Sequence, residues 1–185
     1  MRSKIAGLMA AALAVALVAA PAQGTVRDKS RVQESYSYPV DCGFPIEVTG
    51  SSDLMLILRE GKNKDAGAFP VMNNFMFSER WTNADTGEWF TIRGHFTFIE
   101  EKASRVDGSI FEFRAHDAGQ PYVVEDSGGN VVERNSGSVH VGYLFDTGGD
   151  NEPGGTYGAD TYFRVAGPHP SLEIDSCQYA VELIG

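Results

Sequence analysis

Short runs of β-branched and aromatic residues alternate along the chain with clusters of glycine, asparagine, aspartate and proline. From Phe44 onward several runs place apolar residues at every second position, and no window repeats them with the period of a helix. This pattern is typical of strands that bury one face and are separated by short turns. The predicted strands lie near 44–49, 53–59, 74–82, 88–99, 109–116, 121–126, 130–134, 138–145, 157–166 and 178–184.

Two turn sequences give the clearest local predictions. Residues 83–87 and 126–130 each combine glycine with asparagine and aspartate, as tight hairpin turns require. Strands and turns at this spacing predict an all-β fold, an antiparallel β-sandwich of about nine or ten strands, with a closed β-barrel as the alternative.

The first 22 residues differ in character from the rest of the chain. Arg2 and Lys4 precede a wholly apolar run over residues 5–20, and residues 20–22 read Ala-Pro-Ala. This is the pattern of a cleavable signal peptide. The apolar run is shorter than the roughly 20 residues that cross a bilayer as a helix. We therefore expect cleavage after Ala22, secretion, and no membrane insertion of the mature chain.

Cleavage would leave 163 of the 185 residues, a size that fits one domain. Residues 23–40 are polar and lack a period, so they predict a flexible leader before a single all-β domain over residues 41–185. The signal peptide holds two of the 15 basic residues and none of the 25 acidic ones, so the mature net charge is −12. This charge argues against nucleic acid as a partner.

Two cysteines, Cys42 and Cys177, remain after cleavage. In an oxidising compartment such a pair favours a disulfide over two free thiols. No histidines at metal-ligand spacing accompany them, so they form no recognisable zinc motif. The prediction is a terminal disulfide that joins the first strand of the domain to its last.

Several segments of the chain resemble small secreted actinobacterial proteins of unknown function. They are residues 41–48 (DCGFPIEV), residues 91–96 (TIRGHF), residues 126–132 (DSGGNVV) and the late Cys177. The resemblance covers most of the mature chain. It implies an exported all-β domain with a terminal disulfide, and it brings no catalytic residues.

Strand parity predicts a polar surface on two neighbouring strands. In the strand near 88–99 the apolar side chains at even positions share one face, which leaves Trp89, Arg93 and His95 on the other. In the strand near 109–116, Phe111, Phe113 and Ala115 point inward, which leaves Ile110, Glu112, Arg114 and His116 outward. If residues 100–108 form a loop, these two strands pair as antiparallel neighbours. The expected opposite pairs are Ile99 with Ile110, Thr97 with Glu112, His95 with Arg114, and Arg93 with His116.

This surface would group two arginines and two histidines beside Trp89. Guanidinium groups bind carboxylate, phosphate or sulfate, and an indole ring stacks on a sugar, so an anionic or carbohydrate ligand is the expectation. The alternatives are an ordinary solvated face with cross-strand pairs, or a metal triad of His95, His116 and His140.

Residues 146–155 form an acidic, glycine-rich loop whose Asp146, Asp150 and Glu152 could offer oxygen ligands to Ca²⁺. The loop lacks the spacing of an EF-hand, and the alternative is a long solvated connection between strands. No other cofactor is indicated.

Aromatic residues suggest a different kind of surface. Trp81, Trp89, Tyr157 and Tyr162 would serve as a platform for sugar rings if they were exposed, whereas alternation with Phe75 and Phe77 favours a core position for Trp81. Glu79 and Glu88 flank a turn and offer the nearest approach to a carboxylate pair for hydrolysis.

The chain has neither a nucleophile elbow nor an H-E-x-x-H sequence. The expected function is therefore a secreted, non-enzymatic binding or cell-surface-associated module of unknown ligand. The alternative is a secreted hydrolase, or another small-molecule enzyme, whose site is not recognisable from sequence.

Overall fold

The computed structural model describes residues 25–62, 66–172 and 175–185. The predicted signal peptide, residues 1–22, lies outside these ranges. The described residues form eight strands, a short 3-10 helix and one α-helix. Their bounds are β1 Thr25–Asp41, β2 Pro45–Glu60, β3 Val71–Asn83, β4 Trp89–Asp107, β5 Ile110–Glu125, β6 Val131–Arg134, β7 Gly137–Asp146, β8 Thr156–Ala166, the 3-10 helix Pro170–Leu172, and α1 Ser176–Ile184.

The strands form one antiparallel sheet in the order β1-β2-β3-β4-β5-β7-β8, with β6 paired to the far end of β5. The all-β, antiparallel prediction is confirmed. The sandwich is not, because the described strands belong to a single sheet. The alternative of a closed barrel is not confirmed either, since β1 and β8 are the two edges of this sheet and do not pair with each other. No helix in the described part of the chain has the length and apolar character needed to span a membrane.

Both predicted hairpin turns are confirmed. The Asn83 side-chain oxygen accepts hydrogen bonds from the backbone N–H groups of Asp85 and Thr86, at 2.9 and 3.3 Å. The Asp126 carboxylate accepts in the same way from Gly128 and Asn130, at 2.9 and 2.8 Å. These side chains hold the turns closed and thereby set the β3–β4 and β5–β6 registers.

Some strands are longer than their sequence pattern predicts. The predicted strands 44–49 and 53–59 merge into β2, which passes straight through Gly50. A Cβ atom at Gly50 would lie 2.7 Å from the Tyr36 ring, so the missing side chain leaves room for that ring across the ladder. Likewise, the predicted strands 109–116 and 121–126 merge into β5.

The prediction of a leader over residues 23–40 is wrong for residues 25–40. They belong to β1, which pairs with β2 from Thr25 opposite Glu60 to Asp41 opposite Pro45. β1 is an edge strand, and charged side chains such as Arg31, which pairs with Asp53, are typical of protected edges. The polarity that suggests an unfolded leader thus fits an exposed strand equally well.

The predicted strand 178–184 is wrong as well, because this segment belongs to α1. The Asp175 side chain caps the helix by accepting a hydrogen bond from the Gln178 N–H at 3.0 Å. The helix is too short to show a helical period in the sequence, and it packs Tyr179, Ala180 and Ile184 against the sheet.

The predicted disulfide between Cys42 and Cys177 is confirmed, with Cα atoms 5.2 Å apart. It joins the turn between β1 and β2 to the first turn of α1, so its second partner lies in a helix and not in a last strand. The Asn83 side chain adds a second tie, donating a hydrogen bond to the Ile184 carbonyl at 2.8 Å.

The sheet buries two separate apolar clusters on one face, which we call the inner face. The first cluster lies under α1 and includes Val48, Trp81 and Phe90. The second lies at the other end of the strands and includes Phe111 and Tyr143. The sheet curls at this second end, since Arg27 on β1 forms an ion pair of 2.7 Å with Glu152 in the loop between β7 and β8.

Candidate functional site

The binding surface predicted from sequence lies on the other face of the sheet, which we call the outer face. The parity of β4 and β5 is as predicted, but the register between them is wrong: β4 places Ile99 opposite His116, Lys102 opposite Arg114, and Arg93 opposite Val123. Val123 lies nine positions after Arg114 along β5, or about 30 Å of extended strand. The expected cationic group therefore does not form.

The register differs because residues 100–108 are not a loop. β4 runs on to Asp107 and turns at Gly108, whose φ of +49° suits a tight turn. Irregularities in the ladder after Arg93, Glu100 and Arg105 shift the pairing further. No pattern of residues in the sequence predicts these shifts in register.

Both arginines of the predicted surface have a carboxylate partner. Arg93 pairs with Glu125 at 2.6 Å, and Arg114 with Glu112 at 2.7 Å. His116 lies 3.2 Å from Glu101. These contacts resemble the alternative of a solvated face with cross-strand pairs, and a ligand-binding role for this face stays a prediction.

The remaining members of that surface have neutral or internal partners. His95 lies 3.2 Å from the Asn74 side-chain nitrogen, and the Arg80 guanidinium lies 4.0 Å from the centre of the Trp89 ring. Trp89 is therefore already stacked on a cation of the protein itself. The His116 and His140 rings are 5.5 Å apart, but they form no group of three metal-ligating side chains with His95 among the described residues.

The acidic loop does not bring its three candidate ligands together. Asp146 accepts hydrogen bonds from Ser109 and from the Gly148 N–H, at 2.6 and 2.9 Å. Asp150 caps the Glu152 N–H at 2.9 Å, while Glu152 pairs with Arg27. Within the described ranges no three such side chains are grouped to hold a metal ion. Calcium binding by this loop stays a prediction without geometric support.

A cavity opens instead on the inner face, at the curled end of the sheet. Its volume is about 230 Å³, and strands β2, β3, β4, β5, β7 and β8 all contribute to its wall. The lining is mainly apolar and aromatic: Leu58, Phe69, Val71, Glu100, Phe113, Tyr143, Phe145, Thr147, Pro153, Gly154 and Tyr157. We call it the inner cavity.

Glu100 is the buried carboxyl group of the inner cavity, with 7% of its surface exposed. It accepts hydrogen bonds from the Val71 N–H and from the Tyr143 hydroxyl. Burial raises the pKa of Glu100, and these two hydrogen bonds and the charge of Arg59 only partly oppose that effect. Burial, with the hydrogen bond to Glu100, raises the pKa of Tyr143 too.

A second cavity of about 440 Å³ adjoins the first along β7 and β8. We call it the outer cavity, although it too lies on the inner face of the sheet. It is lined by Phe98, Val141, Tyr143, Tyr157, Asp160, Tyr162 and Phe163. Tyr143 and Tyr157 line both cavities, with ring centres 5.0 Å apart. The Tyr157 hydroxyl donates a hydrogen bond to Asp160, which raises the pKa of that hydroxyl.

The aromatic residues noted in the sequence divide between these regions. Trp81 is 6% exposed in the first cluster, as predicted, and Trp89 lies on the outer face. Tyr157 and Tyr162 line the outer cavity, so two of the four expected platform residues do share a site. The sequence does not predict Glu100 as a site residue, because this residue falls in a segment that is predicted to be a loop.

Comparisons with protein-family models, with curated proteins and with solved structures find no match to this chain. The resemblance to small secreted actinobacterial proteins therefore stays a prediction. A function for the chain has to be argued from the two cavities and their lining.

The pKa of Glu100 leads to a prediction about stability. The folded chain holds the Glu100 proton more tightly than the unfolded chain, so this group stabilises the fold below its unfolded pKa. That contribution is lost as pH rises through the raised, folded pKa. Glu100→Gln is neutral at every pH and should lose less stability than the natural protein between about pH 4 and about pH 8.

Urea unfolding of both proteins at the two pH values measures this difference. Glu101→Gln is the matched control, because Glu101 is exposed beside His116. An equal loss of stability in the natural protein and in Glu100→Gln would contradict the assignment.

Proposed function

We propose that the protein is exported and serves as a non-enzymatic binding protein that holds a small organic ligand in the two cavities of the inner face. One observation carries the proposal: adjoining apolar cavities share two tyrosine walls and contain a few placed polar groups. Ligand sites typically have this composition, with apolar walls for affinity and few polar groups for orientation.

Export is supported by two features of the chain. A disulfide between Cys42 and Cys177 suits an oxidising compartment outside the cytoplasm. β1 begins at Thr25, so the predicted cleavage after Ala22 would remove the apolar segment and leave all eight described strands. N-terminal sequencing of the mature protein should therefore begin at Gln23.

The polar groups of the cavities favour binding over catalysis. Glu100 and Asp160 each accept a hydrogen bond from a tyrosine hydroxyl. Among the described residues, neither lining includes a serine, cysteine, histidine or lysine, and the hydroxyl of Thr147 donates a hydrogen bond to the Ser109 carbonyl at 3.1 Å. The alternative, a secreted hydrolase, would need to use these two engaged carboxyl groups.

The proposal is tested with N-phenyl-1-naphthylamine, a neutral apolar probe whose fluorescence rises in apolar surroundings. We expect the natural protein to bind it saturably. Tyr157→Ala removes a wall common to both cavities and should weaken binding about tenfold, the equivalent of about 1.4 kcal/mol. Tyr157 is 58% exposed, so this change should leave folding intact.

Trp89→Ala tests whether the probe binds to the surface predicted from the sequence instead of the inner face, because Trp89 lies on the outer face. Loss of probe binding in Trp89→Ala with retention in Tyr157→Ala would move the site to the outer face and overturn the proposal. Absence of saturable binding to the natural protein would overturn it as well.

A further inference from the structure

We propose that the outer cavity is a site for an organic ammonium cation, with any apolar tail of that ligand extending into the inner cavity. This inference rests on the proposed function. Five of the seven residues that line the outer cavity are aromatic, and the one ionisable carboxylate among them is Asp160. Aromatic walls with a carboxylate bind a quaternary or alkylated ammonium group through the negative faces of the rings.

The exposure of these aromatic rings supports the binding of a ligand in the outer cavity. Phe163 is 65% exposed and Tyr157 is 58% exposed, although both lie beside the half-buried Phe98. Large aromatic side chains that stay accessible in one concave patch mark interaction sites more often than isolated exposed residues do. The covering group would therefore be a ligand that the rings attract.

The charge of the site selects a cation over an anion. Asp160 would attract an ammonium group and repel a carboxylate or phosphate, and the predicted mature charge of −12 adds to that preference. The Arg114 guanidinium lies 4.8 Å from the centre of the Tyr162 ring and is paired with Glu112. Tyr162 thus already binds a cation of the protein, which leaves four rings for the ligand: Phe98, Tyr143, Tyr157 and Phe163.

The shared walls determine how a longer ligand would lie. Because Tyr143 and Tyr157 line both cavities, an alkyl chain attached to the ammonium group can run along these two touching rings toward Leu58 and Phe113. Those side chains offer an apolar surface that favours the burial of methylene groups. The ligand class is therefore an ammonium head, trimethylated or otherwise alkylated, with a short apolar tail.

Isothermal titration calorimetry with a matched pair of probes tests the inference. The pair is (2-hydroxyethyl)trimethylammonium and 3,3-dimethylbutan-1-ol, which have nearly the same shape and differ in charge. We expect the cation to bind at least about tenfold more tightly, and hexyltrimethylammonium to bind more tightly still. Asp160→Asn and Phe163→Ala should each weaken the cation several-fold, whereas Tyr157→Phe keeps the ring and should weaken it less.

The outcomes separate this inference from the proposed function. Equal affinity for the cation and its neutral isostere, with N-phenyl-1-naphthylamine still bound, would overturn the cation site and leave the proposed function standing. Preference for hexyl sulfate over hexyltrimethylammonium would do the same. If the protein binds none of the cation, its isostere and N-phenyl-1-naphthylamine, both the cation site and the proposed function are overturned.

Discussion

Replacing Cys42 and Cys177 by serine is expected to lower the free energy of unfolding by about 2–5 kcal/mol. The bridge closes a loop with a sequence separation of 135, for which the chain-entropy model gives about 5 kcal/mol. The bridge also holds α1, whose nine residues are too few to form a stable helix alone. Urea unfolding of the natural protein and the double variant measures the loss.

Reduction of the natural protein is the matched control for this experiment. A thiol reductant should bring the midpoint of the natural protein to that of the double serine variant and leave the variant unchanged. Equal midpoints for the oxidised protein and the variant would show that α1 and the turn after β1 remain docked without the bond.

This bond also shows what the sequence does reveal. An even pair of cysteines after a predicted signal peptide predicts the disulfide without knowledge of any strand, because an oxidising compartment would favour the bond. Period-two alternation predicts β4 as far as residue 99 and the two ends of β5, and places Phe90 and Phe111 on the buried face. Asn83 and Asp126 predict their turns because the side chains bond to nearby backbone groups.

Other features depend on contacts between distant parts of the chain. The β4–β5 register is set by the tight turn at Gly108 and by three irregularities in the ladder, none of which changes the apolar pattern. α1 begins at a capping aspartate, Asp175, yet its nine residues alternate well enough to suggest a strand. β1 is polar because it is an edge strand of the sheet. Its place at the edge depends on the order of all the strands in the sheet.

The candidate site is the least visible part of the molecule in the sequence. Glu100 becomes a buried acid because the sheet curls and brings Phe69, Tyr143 and the β7–β8 loop around it. In sequence, it is the first of two adjacent glutamates in a charged stretch. Tyr157 and Tyr162 carry a recognisable signal as aromatics on one strand, but only folding places them beside Tyr143.

Phe90→Ala is expected to cost about 3–5 kcal/mol of unfolding free energy. Phe90 is 0% exposed and stacks on Trp81 with ring centres 5.9 Å apart, inside the cluster that α1 covers. Its removal leaves a cavity between the helix and the sheet that rigid ladder neighbours cannot fill. Urea unfolding at neutral pH measures the loss.

Phe163→Ala is the matched control, since it deletes the same ring from a residue that is 65% exposed on the edge strand β8. We expect a change within about 0.5 kcal/mol for this variant. A Phe163→Ala loss as large as that of Phe90→Ala would mean that β8 is part of the stabilising core. Its exposed rings would then serve packing, and the cation site would lose its main support. A small loss in Phe163→Ala leaves the ring free to contact a ligand.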